Sequence, residues 1–104
     1  MPAVRITNEA AEQAQALDAW WRANRTAAPT LFAREFASGI ALLGAAPGVG
    51  ELFKRSAIPG VRRLVLRKSK NIVFYLYRRD DDTVFILAVW GGPRGSDPTL
   101  ASPE

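Results

Sequence analysis

Apolar positions recur at helical spacing in the first half of this chain and at strand spacing in the second. After a short extended segment, Ala3-Val4-Arg5-Ile6, the residues Ala10, Ala14, Leu17 and Trp21 fall at i, i+4, i+7 and i+11. That stripe predicts an amphipathic helix from about Asn8 to Asn24. Thr7 or Asn8 can cap it, Glu9 and Glu12 suit its positive end, and Asn24-Arg25-Thr26 breaks it. Phe32, Phe36, Ile40 and Leu43 form a second stripe, with Pro29 fitting the first turn of that helix and Gly44 and Pro47 ending it. Two helices joined this closely predict an antiparallel hairpin.

Residues 44–60 hold Gly44, Pro47, Gly48, Gly50, Pro59 and Gly60 and read as a loop. Beyond it, β-branched and aromatic runs predict strands over about 61–68, 71–79 and 83–90, turned at Lys68-Ser69-Lys70-Asn71 and Asp80-Asp81-Asp82-Thr83. The order β-α-α-β-β-β predicts an α+β domain, a helical hairpin packed on one face of an antiparallel sheet. At 104 residues the chain makes one domain, expected over 1–95, with 96–104 as a Pro-containing tail.

Composition narrows the chemistry. Apolar residues form 48% of the chain, enough for a packed core. There is no cysteine, which excludes a disulfide scaffold and a thiolate metal site and fits a reducing compartment. Nor is there histidine, the commonest general base, metal ligand and pH switch. No apolar run approaches the roughly 20 residues that span a bilayer, and Met1-Pro2-Ala3-Val4-Arg5 lacks a signal-peptide core. A soluble cytoplasmic protein with no membrane partner is the expectation. Charge then adds a direction. From Lys54 to Arg79 there are nine Lys or Arg and no Asp or Glu, while the other five cations mix with all ten acids. The net charge of +4 is therefore a local concentration, which points to a polyanionic or acidic partner.

Each residue that can carry chemistry also has a plainer use. Arg62 and Arg63 point to opposite sheet faces, Arg62 with Leu64 and Leu66, Arg63 with Val65 and Arg67. They are either solvated strand charge or a bidentate clamp for phosphate or carboxylate. Tyr75 and Tyr77 share one face of the central strand, where aromatics between cations can stack bases, although cross-strand packing is the commoner use. Asp80-Asp81-Asp82 is explained by turn propensity, so no metal is expected. Trp20 and Trp21 diverge by about 100° on a helix, so one enters the core and the other is left as a contact point. Gly91-Gly92-Pro93 must turn the chain after the last strand and so set Arg94 near the cationic strands. No phosphate-loop, nucleophile-elbow or zinc spacing occurs.

The order of elements, with Gly60-Val61-Arg62-Arg63-Leu64-Val65-Leu66, Ile72-Val73-Phe74-Tyr75-Leu76-Tyr77, Ala88-Val89-Trp90 and Arg94-Gly95, resembles the RelE/ParE superfamily. These are toxins of bacterial type II toxin–antitoxin systems, associated with plasmid stabilization and growth inhibition, and the resemblance runs from Val4 to Leu100. It implies no cofactor, a cognate antitoxin, a toxin–antitoxin hetero-oligomer, and one of two targets. RelE-like members cleave mRNA on the ribosome with a cluster of Lys and Arg, often with a C-terminal Tyr or His. ParE-like members lack that set and are associated with inhibition of DNA gyrase. Here Asn71-Ile72 stands where RelE-like enzymes tend to place an Arg, and no Tyr, His or Lys follows Arg94. The ParE-like branch is therefore favoured. The alternatives are a metal-independent endoribonuclease using Arg63, Arg67, Tyr75 and Arg94, and a non-toxic interaction module with the same fold. On the favoured reading Arg62, Arg63, Arg67, Trp90 and Arg94 face the target, and Trp20, Arg62, Arg63 and Tyr77 meet the antitoxin.

Overall fold

The computed structural model describes residues 1–91 and 98–103. Strand β1 (Ala3–Ile6) leads into helix α1 (Asn8–Asn24), followed by α2 (Leu31–Ala45), a short β2 (Glu51–Leu52), β3 (Arg62–Leu66), β4 (Asn71–Arg78) and β5 (Thr83–Gly91). The five strands lie in the order β1-β5-β4-β3-β2. The expected α+β class and the helical hairpin on one sheet face are present. The sheet itself is mixed: β2 to β5 pair antiparallel, but β1 runs parallel to β5, with Val4 opposite Val84 and Ile6 opposite Ile86. The connection between these two parallel strands runs through the helical hairpin and then β2, β3 and β4.

Local chemistry sets the helix bounds. Thr7 caps α1, its Oγ1 accepting from the Ala10 amide at 3.2 Å and donating to the Ile86 carbonyl at 3.0 Å. One side chain thus starts the helix and ties it to β5. The second helix differs from expectation at both ends. Pro29 lies in the turn before α2 rather than in its first turn, and Gly44 lies inside α2, with the Ala46 amide closing the last turn onto the Leu42 carbonyl at 2.7 Å. Gly44 faces β1, where an added Cβ would stand 3.4 Å from Val4. The strand 61–68 ends at Leu66, because Lys70 takes a positive φ of 61° and its amide bonds back to the Leu66 carbonyl at 2.8 Å. Asp82, at φ 48°, closes the next hairpin. Those two conformations suit short polar turns.

The sheet is apolar on both faces. Beneath the helices, Ala10, Phe32, Leu43, Leu66, Val73, Tyr75, Val84, Ile86 and Val89 form one buried cluster, with Ala14, Leu17, Trp21 and Phe36 packed against it. Both predicted helical stripes therefore face the core, except that Ile40 joins neither cluster; full burial of Phe32 and Leu43 contributes about 1.5–3 kcal/mol each. On the opposite face, Phe53, Val61, Phe74, Leu87 and Ala88 make a second cluster that takes in Ile58, Trp90 and Leu100. A bulge makes this possible. Phe74 pairs with Ala88 and Tyr75 with Ile86, which leaves Leu87 as the extra residue, so Leu87 and Ala88 both enter the second cluster. Just past the bulge the Val89 amide donates to Gln13 Oε1 of α1 at 2.8 Å. The described part of the expected tail packs here too: Pro98 and Pro103 are buried, and Arg78 donates to the Pro103 carbonyl at 3.3 Å.

Candidate functional site

Strand register fixes which candidate side chains share a surface. On the face away from the helices, Arg63 aligns with Phe74 and Ala88, and Val65 aligns with Ile72 and Trp90. Arg67 follows as the first residue of the β3–β4 turn. The result is a mixed basic and apolar surface in which Val65 is 49% exposed and Arg67 is exposed. Arg63 is not a bare charge. Its Nε and Nη2 donate to Glu51 Oε1 at 2.8 and 2.6 Å, and its guanidinium carbon lies 5.7 Å from the Phe53 ring centre. Glu51 reaches it because β2 pairs with β3, placing Glu51 opposite Arg63. An acid that precedes the cationic run in sequence thus sits within it in space.

Arg62 goes the other way. Its Nη1 donates to the Gly50 carbonyl at 2.7 Å on the helix side of the sheet. The Gly50 amide in turn donates to Tyr75 Oη at 2.8 Å, and Tyr75 Oη donates to the Pro47 carbonyl at 2.8 Å. Tyr75 is fully buried and holds the 47–50 loop against the sheet. Only glycine fits at position 50, since a Cβ there would stand 2.6 Å from Tyr75 Oη and 2.7 Å from the Arg63 carbonyl. Burial pushes the Tyr75 phenol up, and the Gly50 amide and the Arg62 charge offset this only in part. Tyr75 is thus removed from the surface and takes the packing use that is commoner for strand aromatics, rather than base stacking. Tyr77 donates to Asp82 Oδ1 at 2.6 Å, and that bond first, then burial and the Asp82 charge, raises its pKa as well.

A third surface lies where the end of α1 meets the β3–β4 turn. Trp21 packs into the core while Trp20 stays 46% exposed, the divergence expected of neighbours on a helix. The two rings meet edge to face at 6.0 Å, and the Arg25 guanidinium lies 4.9 Å from the Trp20 ring centre. With Leu17, Lys68, Ser69, Lys70, Asn71 and Gly91 they line a cleft of about 610 Å³. Glu35 of α2 fixes the turn from behind, accepting from the Lys68 and Ser69 amides at 2.8 Å each. Burial pushes Glu35 up, but the Ser69 hydroxyl beside it, the two amides and the Lys68 charge outweigh that, and its pKa falls below the ordinary glutamate value.

The residues expected to meet an antitoxin therefore do not form one patch. Arg62 and Tyr77 share a cleft with Pro47, Gly60 and Asp82, Arg63 lies on the opposite sheet face, and Trp20 lines the α1 cleft. Of the expected target-facing residues, Arg63 and Trp90 share the helix-free face, Arg62 does not, and Arg67 stands exposed in the turn just past β3; Arg94 lies outside the described residues. Sequence reasoning passed over Glu51, Arg25, Lys68 and Lys70. The Lys68-Ser69-Lys70 turn was legible as a turn, but nothing local says that α1 ends beside it.

The fold has solved counterparts. The chromosomal ParDE TA system from P. aeruginosa aligns with a TM-score of 0.67 at 18% identity, covering 88% of this chain and 96% of that one. The isolated E. coli RelE toxin aligns at 0.62 and 15% identity, covering 91% of this chain and 88% of that one. A chain of the intact E. coli RelBE toxin–antitoxin complex aligns at 0.60 and 15% identity, covering 88% and 96%. No curated protein matches this chain. The family model described as the ParE toxin of the type II toxin–antitoxin system parDE matches residues 4–94. The chain belongs to that family of toxins.

Proposed function

We propose that this protein arrests growth by binding a macromolecular target, DNA gyrase first, through the helix-free face around Arg63, Val65, Arg67 and Trp90. A cognate antitoxin neutralises it in a hetero-oligomer, laying carboxylates over the basic surface. Solved relatives in the ParDE and RelBE systems support the existence of such a partner. The observation that carries the choice of binding over catalysis is the state of the strand tyrosines. RNA cleavage through the 2′-hydroxyl needs a proton acceptor and a leaving-group donor. The Tyr75 hydroxyl is spent on Gly50 and Pro47 inside the protein, and the Tyr77 hydroxyl is held by Asp82. With no histidine in the chain, the described groups on the helix-free face offer charge and apolar contact. Arg and Trp are the side chains that most often dominate such interfaces.

Induced expression in a bacterial host carrying an SOS reporter tests the proposal. Growth arrest with SOS induction and unbroken mRNA is expected. Codon-phased cuts in primer extension, abolished by Arg63→Ala, would replace it with the endoribonuclease reading. Normal growth would leave the non-toxic interaction module.

A further inference from the structure

We infer that the cleft between the C-terminal turns of α1 and the β3–β4 turn binds a nucleotide unit, a base together with its phosphate. The cleft is separate from the helix-free face. Three cations line it, Arg25, Lys68 and Lys70, and among the described residues no carboxylate does. That balance selects an anion. Its shape asks for more than a bare anion. Trp20 leaves nearly half its surface exposed, and the Arg25 guanidinium lies over its ring, 4.9 Å from the ring centre. Aromatic faces and guanidinium planes are what an unstacked base covers.

The floor of the cleft supplies a polar group with unmet demand. Ser69 is 9% exposed, and its hydroxyl lies beside the Glu35 carboxylate. Asn71 is 3% exposed, and its amide makes only a long 3.4 Å contact with the Ser69 carbonyl. Buried polar atoms are normally satisfied, so the under-used Asn71 amide marks the place of a ligand's polar edge. A base edge meets that need while its face lies on Trp20 and its phosphate meets Lys68 and Lys70. The volume, about 610 Å³, falls within the usual range for small-molecule sites. The turn is held in advance by Glu35 from the far side, so the site does not have to be assembled on binding.

Tryptophan emission and anisotropy titrations of the full-length protein test this, with AMP, CMP and a short fluorescein-labelled oligothymidylate as probes. Saturable quenching is expected. Binding of the mononucleotides identifies a free-nucleotide site, and binding of the oligomer alone identifies a single-strand site. Trp20→Ala, a change at an exposed position, should weaken binding about 5- to 150-fold, the range one stacked base supplies. Lys68→Gln should lower the salt dependence by about one released ion, and Arg5→Ala, exposed on β1 and outside the cleft, should leave nucleotide binding unchanged. The inference is overturned if Trp20→Ala binds as tightly as the parent, if inorganic phosphate competes as well as AMP, or if an Asp- and Glu-rich peptide binds at Trp20 where nucleotides do not. None of these results depends on toxicity, so they can fail while the target reading stands.

Discussion

Removing one oxygen separates a structural tyrosine from a catalytic one. In Tyr75→Phe the ring still fills its place under the helices, but two hydrogen bonds disappear, one from the Gly50 amide at 2.8 Å and one to the Pro47 carbonyl at 2.8 Å. At about 1 kcal/mol net for each, the cost is about 2 kcal/mol, and more if the Gly50 amide stays dry and unpaired. For a domain of this size that lowers the melting temperature by roughly 8–16 °C. Urea unfolding should give the same loss with an unchanged slope, because the exposed surface is the same. Toxicity per folded molecule should be unaltered in cells grown well below the new melting temperature. A variant that melts within about 2 °C of the parent yet has lost toxicity would refute the reasoning, since the hydroxyl would then be acting in chemistry.

Other outcomes follow from the same geometry. Gly50→Ala should destabilise by about 1–3 kcal/mol, and the Tyr75→Phe background should recover part of that cost, because one of its three close contacts is with Tyr75 Oη, while those with the Tyr75 ring and the Arg63 carbonyl remain; thermal melts of the four proteins in the cycle measure it. Glu35→Gln should lose about 1 kcal/mol near neutral pH, since the carboxylate bonds two amides in a partly exposed site. The folded pKa of Glu35 is depressed, so this stability is present above its unfolded pKa and fades as pH falls through the folded one. Parent and variant should converge in acid-titrated urea melts once the pH has fallen below the folded pKa of Glu35. Arg63→Ala should reduce toxicity while costing under about 1 kcal/mol, whereas Glu51→Ala, which removes only the competing carboxylate, should leave toxicity equal or higher; growth curves beside melts distinguish them.

The parts of the fold that were legible are those with a strong period. Ala10, Ala14, Leu17 and Trp21, then Phe32 and Leu43, pack where their spacing places them. The three long strands emerge with ends shifted by a residue or two. Strand β2 was not legible, because two residues among glycines and prolines become a strand only by pairing with β3. The parallel join of β1 to β5 was hidden for a similar reason: it links residues about 80 positions apart, and no local pattern encodes it. At the site, alternation correctly separated Arg62 from Arg63 and set Tyr75 with Tyr77. It gave the face but not the depth. Tyr75 is buried because the 47–50 loop covers it, and Arg63 is paired because β2 brings Glu51 across.

The most direct test of the binding account is a titration of purified protein into a plasmid supercoiling reaction run by gyrase, with Arg63→Ala/Arg67→Ala as the comparison. The account predicts dose-dependent loss of supercoiling by the parent and little effect from a well-folded double variant. Full supercoiling at saturating toxin, together with codon-phased cleavage of mRNA on added ribosomes, would contradict it.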